Sequence, residues 1–421
     1  MSIVRQQALT LVLPLAPGRE EAADAWLREN RRALQKALER STTTHFARWV
    51  LLPPSTGEQG EAIGAQTLLA FESNFDGALE HHVADLRAAL GGLLDGAFDG
   101  VDSYPGSASL PELTRFFRDH SRRAAAFFVA HGGLSVPTVR GDAALKRAVE
   151  ARLGELSRGS VVQHEGALPL ARELQRVARA VSTERGLALG YVERGLEKSP
   201  EGPFMTALRA PLRTLLAFAL APAYELRDAL VRRRQPSFDT AELRKKRDGI
   251  GLEEDRVDQN GLTHLVPIKP GWYRTFALRV MVLLVTALAR TGALVGQLGG
   301  IETIHFARWV VLEDKRLLFF SNYDGSWEAY LGDFIDKASF GLTMIWSNTI
   351  WYPATRLLLF KGATHERAFK AWTRAYQVPT QAWYSAYPTL SVRDVLRNSR
   401  IRELLGVELD ERAARELLRL L

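Results

Sequence analysis

His45-Phe46-Ala47-Arg48-Trp49-Val50 recurs letter for letter as His305-Phe306-Ala307-Arg308-Trp309-Val310. Downstream, Ser73-Asn74-Phe75-Asp76-Gly77 returns as Ser321-Asn322-Tyr323-Asp324-Gly325, and Glu80 returns as Glu328. From Asp76 to Tyr104-Pro105 is 28 residues, and from Asp324 to Tyr352-Pro353 is again 28. A weaker continuation sets His120 against His365 and His131 against Tyr376. Each copy thus offers an imidazole, a guanidinium and a carboxylate, groups that fix charge or hold and move protons. Structural roles are open to the same residues. Asn-Tyr-Asp-Gly is a turn sequence, and its Asp324 is placed to cap a helix beginning near Ser326. Arg48 and Arg308 can pair with an acidic residue at a sheet edge, and His45 and His305 can be hydrogen-bonded core residues. Repetition favours structure, since an active site seldom needs both copies of every residue.

Other chemistries lack their residues. The chain has no Cys, so thiolate catalysis, Cys-based zinc sites and disulfides are excluded. There is no GxGxxG or GxxxxGK[ST] after a strand, no HExxH and no GxSxG. His81 and His82 are adjacent and point to different faces of a helix, which does not suit one metal.

The elements that must position the repeated residues follow from periodicity. In the first copy Leu9–Leu15, His45–Leu52 and Thr67–Phe75 read as strands, with helices over Glu20–Arg40 and Ala78–Leu94. In the second, Leu262–Ile268, Ile304–Leu312, Arg316–Tyr323 and Arg356–Phe360 read as strands, with helices over Tyr273–Leu298 and Trp327–Trp346. The copies differ mainly between Pro53 and Ala65, a Pro-, Gly- and Glu-rich stretch, where the second has only a Glu313-Asp314-Lys315 turn. Helices are expected next over His120–His131 and Asp142–Leu156, and over His365–Tyr376 and Val392–Leu405. Along Ile304–Leu312, His305, Ala307, Trp309 and Val311 share one face, and Phe306, Arg308, Val310 and Leu312 the other. Both faces carry large apolar residues, so the sheet needs cover on both sides. The expected fold is α+β: two tandem ferredoxin-like (βαββαβ) repeats forming an intramolecular α+β barrel or sandwich, with a helical insert and helical extensions. The expected domains are 1–156, a helical basic insert 157–257, and 258–421.

In topology and duplication the chain resembles the dimeric α+β-barrel superfamily, and distantly the dye-decolourising peroxidases, whose GxxDG motif is matched here at Asp76-Gly77 and Asp324-Gly325, with Ser in place of the first Gly. The resemblance implies a cavity between the repeats that holds haem or a hydrophobic ligand, with peroxidase-type oxidoreductase activity. It implies His365 as the axial ligand of haem iron, with His305 as the second candidate. It also implies Asp324 and Arg308, with their counterparts Asp76 and Arg48, as catalytic residues: the arginine polarises peroxide and the aspartate moves its proton. Trp309 and Tyr323 would line the ligand site.

Of 421 residues, 46% are apolar and 24% charged, a globular composition. The 55 Lys and Arg against 48 Asp and Glu leave a net charge of +7. Much of it lies between Arg227 and Arg247, which holds eight basic residues, including Arg232, Arg233 and Arg234, against three acidic ones. Interleaved aromatics and recognition-helix signatures are missing, so nucleic acid is not an expected partner. Anionic lipid is the better match. Leu215–Tyr224 and Val280–Ala289 are apolar runs edged by arginine, too short to span a bilayer but suited to its interface or to a core. Trp383 to Pro388, followed by Arg393, Arg397, Arg400 and Arg402, can line a channel mouth or receive an anionic head group, or its aromatics can be packing anchors with the arginines exposed on the last helices. The alternative to an enzyme is therefore a non-enzymatic peripheral membrane protein that binds anionic lipid or a partner through its apolar, arginine-flanked helices. Without a secretory signal pattern after Met1, the expected location is cytoplasmic, at the inner face of the membrane in that alternative.

Overall fold

The computed structural model describes residues 4–158, 166–192, 203–238, 241, 245, 249, 258–290 and 297–421. Within 157–257, Pro200 and the basic residues Arg244, Lys246 and Arg247 lie outside the described residues, as do 291–296 of the helix expected to reach Leu298.

The first half runs β1 (Gln6–Pro14), α1 (Glu20–Leu38), β2 (Thr44–Leu52), β3 (Leu68–Asp76), α2 (Leu79–Leu90), α3 (Leu110–His120), β4 (Ala126–Val129) and α4 (Val136–Arg158). Then come α5 (Ala167–Arg185) and α6 (Pro203–Val231). The second half runs β5 (Gln259–Pro267), α7 (Trp272–Arg290), β6 (Ile304–Val311), β7 (Arg316–Asp324), α8 (Trp327–Lys337), α9 (Ser339–Trp346), α10 (Glu366–Tyr376), β8 (Ala382–Ser385), α11 (Val392–Leu405) and α12 (Glu411–Leu420).

The fold is α+β, with two four-stranded antiparallel sheets that do not close into a barrel. Their orders are β1-β3-β2-β8 and β5-β7-β6-β4, the same pattern with one exchange. The short strand at the end of each sheet comes from the other half of the sequence. Ala382 lies opposite Trp49 and Ala126 opposite Trp309, so β8 and β4 dock in matching register.

Alternation along β2 and β6 produces three layers. Trp49 packs on Phe71 at 4.7 Å in a core with Leu34 of α1, Leu86 of α2 and Phe117 of α3. Trp309 packs on Phe319, also at 4.7 Å, under α7, α8 and α10. The inner faces meet through Val12, Val50, Leu52, Leu265, Val310, Leu312, Leu318 and Phe320. A fourth cluster joins α4 and α5 to α11 and α12.

Several expected elements differ. Arg356–Phe360 is not a sheet strand. Thr355–Arg356 and Phe360–Lys361 pair into a two-stranded hairpin of their own, because Leu357 and Leu358 turn the chain at positive φ. His120–His131 is not a helix, since α3 ends at His120 and Ala126–Val129 is a strand. The helix expected over Trp327–Trp346 breaks at Ala338, and the one over Ala78–Leu94 breaks at Gly91, whose φ is 55°. The counterpart of His131 is therefore Tyr387, each following its closing strand by two residues, and that of His120 is Tyr376. The Pro53–Ala65 surplus forms a small hairpin, Ser55–Thr56 with Ala62–Ile63.

Candidate functional site

A register shift between Thr44 and Phe46, repeated between Ile304 and Phe306, turns His45 and His305 out of the strict alternation expected for them. A bulge re-aims a side chain in this way. His45 faces Phe306 across the halves at 5.2 Å between ring centroids, and His305 faces Phe46 at 5.2 Å. His45 Nε2 donates to Asp76 Oδ1 (2.9 Å) and His305 Nε2 to Asp324 Oδ1 (2.8 Å). The second oxygen of each carboxylate accepts a helix-start amide, Val136 N at α4 (2.7 Å) and Val392 N at α11 (2.8 Å). Asp324 thus holds α11 and His305, not the helix beginning near Ser326, which Ser326 caps itself. Tyr387 Oη lies 2.8 Å from His45 Nδ1 and 3.3 Å from His131 Nε2. Burial, then the charges of Asp76 and Asp324, push the Tyr387 hydroxyl well above its usual pKa, so it remains a neutral phenol. His45, His131 and His305 are buried with it. The cluster ties helix starts and closing strands to both sheets.

Arg48 and Arg308 cross between the sheets in opposite directions. Arg48 Nη1 donates to Leu262 O (2.9 Å) and Nη2 to Ser321 O (2.9 Å) and Asn322 Oδ1. Arg308 Nη1 donates to Leu9 O (2.7 Å) and Nη2 to Ser73 O (3.0 Å) and Asn74 Oδ1. One carboxylate serves both: Glu72 pairs with Arg48 Nε and with Arg308 Nη2 (3.1 Å). Burial lowers both guanidinium pKa values, that of Arg308 to about 10, while Glu72 opposes the shift. Neither arginine is placed to meet peroxide, because both are fully enclosed and spent on backbone carbonyls.

The residues do not fit haem. His365 is an exposed helix N-cap residue, His305 has Asp324 on one ring nitrogen and His131 Nε2 at 3.5 Å from the other, and the inter-sheet space is filled by apolar side chains together with Arg48, Arg308 and Glu72. Trp309 and Tyr323 are core residues: Tyr323 stacks on Tyr330 at 3.8 Å. Among the described residues no cluster of three or more His, Asp or Glu is placed to hold a metal ion.

Two surfaces remain. A cleft of about 1110 Å³ opens between α1 and the 377–389 segment, with Arg31, Arg32, Gln35, Val378 and Trp383 among its lining. Gly261 forms part of its floor, where a Cβ would come within 2.9 Å of Trp383 Nε1 and 3.1 Å of Arg48 Cζ. The second surface is α6. Among its described side chains from Leu215 to Leu230, the exposed ones are Leu215, Leu216, Ala219, Pro222, Ala223, Leu226, Ala229 and Leu230, a helical stripe without a charge. The charged residues face the protein. Asp228 pairs with Lys269 (2.7 Å) and Arg274 (2.7 Å), Arg227 with Glu58 (3.1 Å), and Glu225 with the 355–361 hairpin. Burial lowers the Lys269 pKa to about 8, offset by Asp228. Glu58 explains the surplus loop of the first half, which reaches over to clamp α6. Past the helix end, Arg232 is half-buried and Arg233 exposed; the Arg234 side chain is outside the described ones. Among the described residues no helix is long and apolar enough to cross a membrane.

The site residues missed in sequence had a signal. Ala126-Phe127-Phe128-Val129-Ala130-His131 matches Ala382-Trp383-Tyr384-Ser385-Ala386-Tyr387, and Leu134-Ser135-Val136 matches Leu390-Ser391-Val392. Neither the protein-family models nor the curated proteins show a match to this chain, so the peroxidase likeness has no support from relatives.

Proposed function

We propose that the protein is a peripheral membrane protein that docks on anionic bilayers through the outward face of α6. Its two halves act as the rigid frame, a pair of ferredoxin-like repeats that have exchanged their closing strands. The reading is carried by the inversion of α6, which turns leucines to solvent and Glu225, Arg227 and Asp228 inward. A surface helix ordinarily does the reverse, and contiguous exposed apolar area marks an interaction site. Arginines beside such a stripe add Coulomb attraction to anionic headgroups. Leu226 and Leu230 lie one turn apart and are 67% and 57% exposed; burying each in the acyl boundary is worth about 1.5–3 kcal/mol.

Flotation with vesicles of phosphatidylcholine alone and with added phosphatidylserine tests it. The protein should float only with the anionic vesicles, and Leu226→Asp with Leu230→Asp should abolish flotation without changing the circular dichroism spectrum. Arg232→Glu with Arg233→Glu should weaken it severalfold. Equal recovery on neutral and anionic vesicles, or no recovery at all, removes the reading.

The cleft favours a second reading, the binding of an amphipathic anion between the halves. Trp383, with its indole fixed by Asn322 Oδ1 at 3.0 Å, supplies a flat apolar surface, and Arg31 and Arg32 supply charge at the rim. Native mass spectrometry of the purified protein should show an anionic adduct that Trp383→Ala loses. An adduct that survives Trp383→Ala together with Arg32→Ala places any ligand elsewhere.

A further inference from the structure

The hairpin that replaces the expected RLLLF strand has an unusual turn. Leu357 and Leu358 both sit in the left-handed region, with φ of 57° and 58°, and Leu359 N closes the turn on Arg356 O at 3.2 Å. The register leaves a three-residue loop, Leu357 to Leu359, and a β-turn with positive φ at both central positions is normally built from Asn and Gly, because a Cβ is disfavoured there. Leucines in such a place run against local preference, and an outlier of this kind points to a use.

What the two leucines do differs. Leu358 is 1% exposed and packs among Ala221, Tyr273 and Ala277, in the seam between α6 and α7. It anchors the hairpin, and Glu225 Oε1 secures it by accepting from Thr355 Oγ1 and Leu358 N, both at 3.0 Å. Leu357 is turned out, 40% exposed, and Phe360 is 50% exposed with its ring 5.9 Å from that of Phe340, itself 48% exposed. Arg356 and Lys361 bracket this tip and are exposed. Trp272, next in sequence to the Tyr273 that Leu358 packs on, is 64% exposed at the start of α7. Of the eleven large apolar side chains exposed among the described residues, nine lie on α6, α7, α9 and this hairpin, the others being Tyr191 and Val407.

We propose that the Thr355–Lys361 hairpin is a membrane wedge: Leu357 and Phe360 enter the acyl boundary of an anionic bilayer while Arg356 and Lys361 hold its headgroup phosphates. The inference rests on the docking of α6 proposed above and adds the element that penetrates. An apolar tip between two cations matches the vertical order of an anionic leaflet, apolar below and negative at the surface. A soluble protein partner would have to bury both cations beside the leucine.

The chain has no cysteine, so a single Leu357→Cys variant can carry an environment-sensitive fluorophore at the tip. With phosphatidylserine-containing vesicles its emission should shift to the blue and be quenched by lipids spin-labelled near the headgroup end of the acyl chain. The same label at Val407→Cys should do neither. Leu357→Asn separates insertion from folding, because asparagine suits the left-handed turn. The variant should melt no lower than the parent yet bind vesicles about tenfold more weakly, the scale of losing one buried leucine. If the protein floats with vesicles while the Leu357 label stays in water, the wedge is wrong and α6 docking stands. If the Leu357→Asn variant binds as well as the parent, the wedge is also wrong. If nothing floats, both proposals fall.

Discussion

Glu72→Ala should lower the free energy of unfolding by about 3–5 kcal/mol, the range for stripping the counterion from a buried pair, measured by urea denaturation at neutral pH. Arg48 and Arg308 are fully buried and Glu72 is 1% exposed. Both guanidiniums stay protonated at neutral pH despite the lowering that burial imposes. Removing Glu72 leaves two enclosed cations with only neutral acceptors: Leu262 O and Ser321 O for one, Leu9 O and Ser73 O for the other. No second carboxylate can substitute, since the matching position on β7 is Phe320, over whose ring Arg48 Cζ lies at 5.2 Å. Glu72→Gln keeps the shape and an acceptor for Asn74 Nδ2, so the difference between the two variants isolates the charge. A loss below about 1 kcal/mol would place the pair in the class of surface bridges and would mean that the halves are not held together by these crossing arginines.

The HFARW repeats announced that the two halves share a plan, and alternation correctly put Trp309 and Arg308 on opposite faces of one strand. It could not announce the bulges at His45 and His305, because an extra residue leaves no trace in a period-two pattern. The exchanged strands were hidden for a different reason. Ala126–Val129 and Ala382–Ser385 are four residues long, too short for a periodic signal, and RLLLF offered a more strand-like composition that its own turn overrides. Asp324 reads in sequence as a cap for the helix near Ser326, but the amide it accepts from, Val392 N, lies 68 residues later in sequence. The apolar stripe of α6 was visible as a run with arginines at its edges. Hydrophobic period says that a helix has two faces and not which one meets the protein. That choice was made by Asp228 finding Lys269 and Arg274, a contact no local window contains.

One position at which the two halves differ should make the protein sensitive to acid. His82 stacks on Phe75 at 4.1 Å, with Thr43 Oγ1 at its Nδ1 and Ser73 Oγ at its Nε2, both 2.9 Å away. In the second half Tyr330 takes its place, stacked on Tyr323 and donating to Ser321 Oγ at 2.7 Å. Burial lowers the His82 pKa to about 3, with Asp85 opposing and His45 adding to the shift. The unfolded chain takes up that proton below pH 6.5, while the folded protein refuses it until about pH 3. Between those limits the unfolded state binds more protons, so stability rises with pH and is lost as pH falls below 6.5. At about 1.4 kcal/mol per pH unit, the loss from pH 6.5 to pH 4 is about 3 kcal/mol. His82→Tyr, which copies the second half, should remove that share of the acid sensitivity. Urea midpoints at pH 4, 5, 6 and 7 for the parent and His82→Tyr should therefore diverge steadily toward acid. Parallel curves would show that His82 is protonated inside the fold and that the tyrosine of the second half is a change of shape alone.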